Sequence, residues 1–302
     1  MRAKTGVIPR LIKWLLLILL ATALVGLLVL WRIGAWNLVF PADGHDTVPP
    51  AVPEDLTSPA VLVFSKTNAF RHREGIAGGA KALQALAAKH DWGLLHTENG
   101  AIFNSTDLDR FRVVVFLNAS GDILDDAQEQ AFEAWLEAGG GWLGIHAAGD
   151  SSHAGWQWYR DNLIGADFTA HIMGPQFQTA RVMLENQEHP VLQQIPEVWK
   201  HEEEWYSWER SPRGEGFFIL ATLDENSYTP VAKFLGQERD LRMGDHPVVW
   251  ANCVGEGHSV YVAMGHRAEA FAQPQVNRLL ENALLWLTGP REPGCGMPRA
   301  SG

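Results

Sequence analysis

Between Ala60 and His146 the chain alternates short, continuously apolar runs with amphipathic ones, and few folds accommodate that order. "AVLVFS" (Ala60–Ser65), "WGLLHTE", "RVVVFLNAS" (Arg112–Ser120) and Gly141–His146 are β-branched or aromatic runs suited to buried strands. Between them, "IAGGAKALQALAAKH" puts Ile76, Ala80, Leu83 and Leu86–Ala87 on one helical face. "DDAQEQAFEAWLEAGG" opens on Asp, carries Ala131, Phe132, Trp135 and Leu136, and closes on Gly, the start and stop signals of a helix. The order predicts a doubly wound, mainly parallel sheet with right-handed crossovers and helices on both faces. In such sheets ligands lie outside the carboxyl ends of the strands. That rule groups the loop after Ser65, the Asn118–Asp122 turn and the His146–His153 turn. The second half is more β-rich, with "FQTARVMLE", "EEEWYSW", "FFILATL", "HPVVWAN" and "HSVYVAMG" as strand-like runs. "PQVNRLLENALLWLTG" is an amphipathic terminal helix.

Ahead of this domain, Trp14–Trp31 runs for eighteen residues without a charge, enough to cross a bilayer as a helix with indoles at its ends. Arg2, Lys4, Arg10 and Lys13 precede the run and only Arg32 follows closely, so the positive-inside rule places residues 1–13 in the cytoplasm. The rest of the chain then lies in the periplasm or outside the cell. A cleaved signal peptide with Ala21-Thr22-Ala23 as its site is the competing reading, but the apolar run continues well past Ala23. Residues 32–58, rich in Pro, Asp and Thr, read as an extended linker in which His45 and Asp46 are solvated. Residues 59–290 form the domain, and 291–302 read as a disordered tail.

Composition removes several functions. The net charge of −11 excludes a nucleic-acid partner, because phosphate binding needs a Lys/Arg surplus on one face. There is no GxGxxG or P-loop, so no nucleotide cofactor is indicated, and neither G-x-S-x-G nor HExxH occurs. The two cysteines are too few for a disulfide framework; Cys253 reads as a small buried hydrophobe and Cys295 as an exposed tail residue. The thirteen tryptophans suit core packing or sugar stacking.

The chemistry-bearing residues cluster at strand ends. "GGGWLGIHAAGD" has the form of a nucleophile elbow, yet its bend carries His146 where Ser or Cys would stand. His72 follows the first strand, and His266 ends "SVYVAMGH". Converging imidazoles and carboxylates make either a metal site or an acid/base pair. A histidine at a strand end can equally be a loop residue bonded to a backbone carbonyl. In "HEEEWYSWE" strand alternation puts Glu202 and Glu204 on one face and Glu203 on the other, so that Glu204 can serve as base or ligand while Trp205 and Tyr206 line a pocket. A charged edge strand accounts for the same glutamates without chemistry. Asn118, Asp150, and Asp245 with His246 in "GDHPVVW" are candidates for binding substrate, with turn and capping roles as the alternative. His153 and His258 are candidates for the rim, whereas His90 and His96 read as structural or exposed.

Five stretches in order, "VLVFSKTNAFRHREGI", "GGGWLGIHAAGD", "HEEEWYSW", "GDHPVVW" and "VYVAMGH", make the chain from about Ala60 to Gly289 resemble the ThuA-like (trehalose utilisation) family. The resemblance implies a flavodoxin-like, class I glutamine amidotransferase-like fold. In amidotransferases the elbow holds a cysteine paired with a later histidine; here those positions correspond to His146 and His266. With no thiol at the elbow, the glutaminase reaction lacks its nucleophile, and Cys253 within a strand is no substitute. The family is associated with carbohydrates, particularly oxidised (3-keto) disaccharides, and some members with a divalent metal such as zinc, which would suit His72, His146 and His266. One departure is "GEGHS", where His258 stands in place of a basic residue common in relatives.

Together these features predict a membrane-anchored, sugar-active isomerase, lyase or hydrolase using metal-assisted or acid/base chemistry. Proton abstraction α to a carbonyl needs a base, Glu204 or His146, and an electrophile such as a metal or His266. The alternative is a non-catalytic carbohydrate-binding or envelope scaffold with tryptophans as sugar platforms. Substrate, metal identity and oligomeric state, a homo-oligomer included, stay open.

Overall fold

The β-branched run Val61–Phe64 and its counterpart Val113–Leu117 are buried along their whole length, as expected for strands covered on both faces. The structure, a computed structural model, describes residues 7–290 apart from Asp43, Ala154 and Glu215. The expected tail 291–302, with Cys295, and residues 1–6 lie outside the described residues. The strands are β1 (Ala60–Phe64), β2 (Gly93–Thr97), β3 (Val113–Leu117), β4 (Gly141–Ile145), β5 (Phe168–His171), β6 (Gln178–Leu184) and β7 (Val198–Glu203). They continue with β8 (Tyr206–Trp208), β9 (Phe218–Asp224), β10 (Val231–Phe234), β11 (Gln237–Asp240), β12 (Pro247–Val254) and β13 (Gly257–Val262).

Nine of them form one sheet in the order β2-β1-β3-β4-β13-β12-β9-β6-β7. From β2 to β13 every neighbour is parallel, and from β13 to β7 every neighbour is antiparallel. The fold is thus the doubly wound, mainly parallel arrangement with β-rich additions that the alternation predicts. The helices Arg73–Lys89, Asp126–Glu137 and Pro274–Thr288 bury their apolar faces against it. Asp125 caps the second, accepting from Ala127 and Gln128 N–H while the Gln128 side chain returns to the Asp125 amide, a reciprocal pairing that fixes the helix start. Phe116 packs with Phe64, Phe132, Trp142 and Tyr159 in the core beneath the site.

Outside the main sheet, β5 pairs with β8 and β10 with β11. The run "EEEWYSW" is therefore two strands, β7 and β8, not one. One N-terminal helix, Val7–Arg32, contains 22 residues (Leu11–Arg32) long and apolar enough to span a membrane, none of them buried in the protein. The following segment departs from a solvated tether. Asp46 accepts from Lys66 Nζ at 2.6 Å and from the Gly100 amide at 2.9 Å, and Gln128 Nε2 donates to the Asp46 carbonyl at 2.7 Å. A short helix, Trp36–Val39, also forms there. Cys253 is half-buried and disulfide-bonded, so it is not the free buried thiol expected from its surroundings.

Candidate metal centre

β4 delivers its last residue, Ile145, in extended conformation, and the chain then turns sharply at His146, whose φ is +51°. A β-carbon in that region costs about 1–3 kcal/mol unless its surroundings hold it there. Here they do. Tyr261 Oη donates to the His146 carbonyl at 2.7 Å, and the next amide, Ala147 N–H, faces Asn118 Oδ1 at 3.4 Å. The close approach of Tyr261 requires a small residue at 149, since a Cβ on Gly149 would lie 2.6 Å from the phenol oxygen. The geometry is that of a nucleophile elbow with an imidazole at its bend.

The His146 ring is fixed from behind. Its Nδ1 donates to the Ala263 carbonyl at 2.8 Å, which leaves the Nε2 lone pair to act as a ligand. That Nε2 lies 3.2 Å from His266 Nδ1 and 3.6 Å from Glu204 Oε2, and His266 Nδ1 lies 2.9 Å from Glu204 Oε2. His72 completes the group; one ligand atom from each of His72, His146, Glu204 and His266 falls within 4.8 Å of every other. The His72 ring meets those of His146 and His266 edge-on, and its Nδ1 is buried with no hydrogen-bond partner.

This donor set fits a divalent cation. A tetrahedral ion with metal–nitrogen bonds of about 2.0–2.1 Å holds its ligand atoms roughly 3.3 Å apart, close to the spacing among His146, His266 and Glu204. The orphaned His72 nitrogen beside them would supply a fourth ligand. Protonation favours the same reading. Burial and the neighbouring His146 and His266 hold His72 well below the usual histidine range, so it is a neutral donor. Burial would raise the Glu204 carboxyl, but hydrogen bonds to His146 and His266 outweigh it and keep Glu204 ionised. For His146 burial pulls downward, and the Glu204 bond with the charges of Glu203 and Glu204 pulls further upward. That upward pull marks the site as negative, the sign that favours a bound cation.

Several supporting residues escaped the sequence patterns. β7 ends at Glu203, so the alternation stops there; Glu202 is exposed and bonded to Arg267 at 2.6 Å, whereas Glu203 and Glu204 are both buried. The expectation that Glu202 and Glu204 share a face fails for that reason. Glu203 Oε2 accepts the Gly265 amide at 2.8 Å and Oε1 the Glu204 amide at 2.9 Å, fixing the two segments that carry His266 and Glu204. His171, at the end of β5, places Nδ1 3.2 Å from Glu204 Oε1 and is partly exposed. Gln176 Nε2 donates to the same oxygen at 2.5 Å. Rings of Phe70, Phe177 and Tyr206 pack against His72, His266 and His146 respectively. The sequence signal for His171 is faint, a lone histidine in "FTAHIMGP" before a Gly-Pro turn.

Other candidates lie elsewhere. Trp205 is fully buried, donates to the Gln178 carbonyl at 2.8 Å and packs on His201, so its ring belongs to the core. Asp245 is tied to Arg213 at the surface. His246 is buried between Glu225 and the Tyr206 carbonyl, at 2.9 and 2.7 Å, as a brace beneath β8. Asn118 is spent on the scaffold, with Nδ2 donating to the Gly265 carbonyl at 3.1 Å. Asp150, pushed up to about 6 by burial, accepts from the Ser152 amide and hydroxyl and shapes the turn after the elbow. His153 lines a cavity of about 150 Å³ behind the elbow and is neutral, burial pushing it down to about 4. His258 stacks on Trp286 at the opposite end of β13 from the cluster. His96 and His90 meet Ser65 and Glu281 away from it. Trp142, Trp208 and Trp250 are core residues, not sugar platforms.

Comparison with known proteins identifies the family and the fold. A family model described as ThuA, trehalose utilisation, matches residues 60–287. A ThuA-like protein from Bacteroides uniformis has a crystal structure that superposes with a TM-score of 0.67 at 27% identity, covering 82% of this chain and 98% of that one. A ThuA-like protein from Parabacteroides merdae matches the fold with a TM-score of 0.58 at 15% identity, covering 78% and 92%. No curated protein matches the chain.

Proposed function

The chain belongs to the ThuA, trehalose utilisation, family, and from that membership we propose that it is a membrane-anchored enzyme acting on an oxidised sugar or glycoside outside the cytoplasm. The observation that carries the proposal is the convergence of His146 Nε2, His266 Nδ1 and Glu204 Oε2, joined by His72. These four residues would hold a divalent cation, and a bound ion would supply Lewis-acid polarisation of a sugar carbonyl. The chain's own groups do the rest. Glu204 divides its oxygens: Oε2 faces the histidines, while Oε1 faces Gln176 and His171 and is the base for the proton α to the carbonyl. Gln176 holds that oxygen in place, and His171, partly exposed beside it, passes the proton to solvent. Phe70, Phe177 and Tyr206 surround the imidazoles and keep bulk water off the ionised carboxylate.

The anchor reading rests on the 22-residue span and on the basic residues ahead of it. The disulfide at Cys253 supports an oxidising compartment, since cytosolic thiols are kept reduced. The test is turnover of a panel of 3-keto-glycosides by the full chain in detergent, followed by loss of the keto sugar or release of its aglycone. Turnover that falls by at least about 100-fold in Glu204→Gln and His171→Ala, with unchanged thermal unfolding, supports the reading. Saturable sugar binding with no product in any member of the panel overturns it.

A further inference from the structure

The end of the membrane-spanning helix is built into the domain instead of hanging from it. The Arg71 amide donates to the Gly34 carbonyl at 2.9 Å, and Arg73 Nε donates to the Trp31 carbonyl at 3.1 Å. The Arg73 guanidinium also lies 4.3 Å from the centre of the Trp31 ring. Asn37 Nδ2 reaches the Thr67 carbonyl at 2.7 Å. Gly34, at φ +85°, sits so close that a Cβ would lie 2.1 Å from the Arg71 carbonyl oxygen. All these contacts fall on the 67–73 loop, the segment that delivers His72.

A cavity of about 350 Å³ lies at this junction, lined by Arg32, Ile33, Phe70, Arg71, His72, Arg73, Glu74 and His266. Two members of the metal-binding group, His72 and His266, thus line a space whose opposite wall is the last residue of the span and the one after it. Three guanidiniums share the mouth. Arg71 is paired with Glu98, but Arg73 is held only by a backbone carbonyl and a ring, and Arg32 has no ion pair among the described residues. Against the single carboxylate of the lining, Glu74, three guanidiniums leave an excess of positive charge that gains from a bound anion. Just after the span, Ile33, Trp36, Leu38, Val39 and Phe40 are exposed, the apolar and aromatic residues that suit the headgroup layer where a span leaves the bilayer.

We propose that this cavity receives the phosphate of an anionic membrane lipid between Arg32, Arg71 and Arg73, presenting the hydroxylated end of its headgroup to His72 and His266. The proposal rests on the anchored, metal-dependent reading above and deepens it: the substrate is an oxidised sugar carried at the bilayer surface on a phosphate. The fixed distance between span and site favours a ligand that shares the membrane. A freely diffusing sugar needs neither the arginines nor the contact with Trp31.

Native mass spectrometry of the full chain in detergent tests this, with phosphatidylglycerol, phosphatidylcholine and inorganic phosphate as probes. The intact mass first establishes that residues 1–32 are present; a chain lacking them has lost one wall and overturns both the proposal and the anchor. The expected result is one retained phosphatidylglycerol, bound at least about tenfold more tightly than phosphatidylcholine and about tenfold more weakly in the double variant Arg32→Gln/Arg73→Gln. Arg242→Gln, a distant surface arginine, leaves the affinity unchanged. Equal binding of the two lipids, or a double variant that binds as the wild type does, overturns the proposal. Inorganic phosphate that displaces the lipid at equal concentration makes the ligand a soluble anion and overturns it also. None of these readouts depends on metal content or turnover, so the metal-dependent reading fails or survives separately.

Discussion

His146 Nε2 lies 3.2 Å from His266 Nδ1 although 120 residues separate them in the chain. Parallel pairing of β4 with β13 creates the meeting, because both strands then point their carboxyl ends the same way. His146 follows β4 directly, while His266 follows β13 after the turn Ala263-Met264-Gly265. Gly265, at φ +134°, makes that turn, and a Cβ there would lie 2.7 Å from Ile145 Cγ2. The position of His266 is therefore a property of the turn, and the turn is held by Glu203 and Asn118.

Removing Glu203 will loosen the site without touching a ligand. In Glu203→Ala the Gly265 and Glu204 amides lose their buried acceptor, each at about 1–3 kcal/mol. Metal affinity, read by competition with a chelator, will fall by about 10–100-fold. Glu203→Gln, which keeps one acceptor, will restore part of it. A loss of thermal stability with unaltered metal affinity would restrict Glu203 to packing.

How much of this was legible in the sequence depends on where each residue sits relative to a strand end. The parallel half could be read because β1, β3 and β4 are continuous apolar runs, and the rule that ligands gather at strand ends selects His72, His146 and His266. Glu204 lay in a conspicuous run of acids, but alternation put it on the face of Glu202, because alternation presumes a strand that in fact stops at Glu203. Trp205 and His246 failed as pocket residues for a related reason: burial of a polar aromatic side chain looks the same in sequence whether it faces a site or a neighbouring layer. His171 left only a faint signal, since β5 pairs with β8 in a small separate sheet with no run of its own to announce it, and Gln176 in the loop beyond left none.

Stability will carry a signature of the acidic patch at the start of the helix Asp126–Glu137. Burial, then the charges of Asp122, Asp126, Glu133 and Asp125, push the Glu129 carboxyl up to about 7 from the ordinary value of 4.5. The folded protein keeps a proton there that the unfolded chain gives up, so stability falls as pH rises from about 4.5 to about 7 and stays lower above it. Glu129→Gln will therefore raise the melting temperature at pH 8 and leave it nearly unchanged at pH 4. An equal shift at both values would show that Glu129 titrates normally.

Cys253 predicts the redox state of the isolated protein. Because no free cysteine is present among the described residues and Cys253 is disulfide-bonded, unreduced protein denatured in guanidinium will react with no thiol reagent. Reduction will expose two thiols, the number of cysteines in the sequence. Labelling before reduction would place the chain in a reducing compartment, contrary to an exported domain.

Elemental analysis of the purified full chain is the most direct measurement of the central claim. The wild type, as isolated or after dialysis against zinc or manganese, will hold about one divalent ion per chain. His146→Ala and Glu204→Ala will each lose it while keeping the wild-type far-ultraviolet circular dichroism, because both side chains point into the cluster and carry little of the core. A wild-type chain that retains no stoichiometric metal, or variants that bind it as tightly as the wild type, would contradict the assignment of His72, His146, Glu204 and His266 as a metal centre.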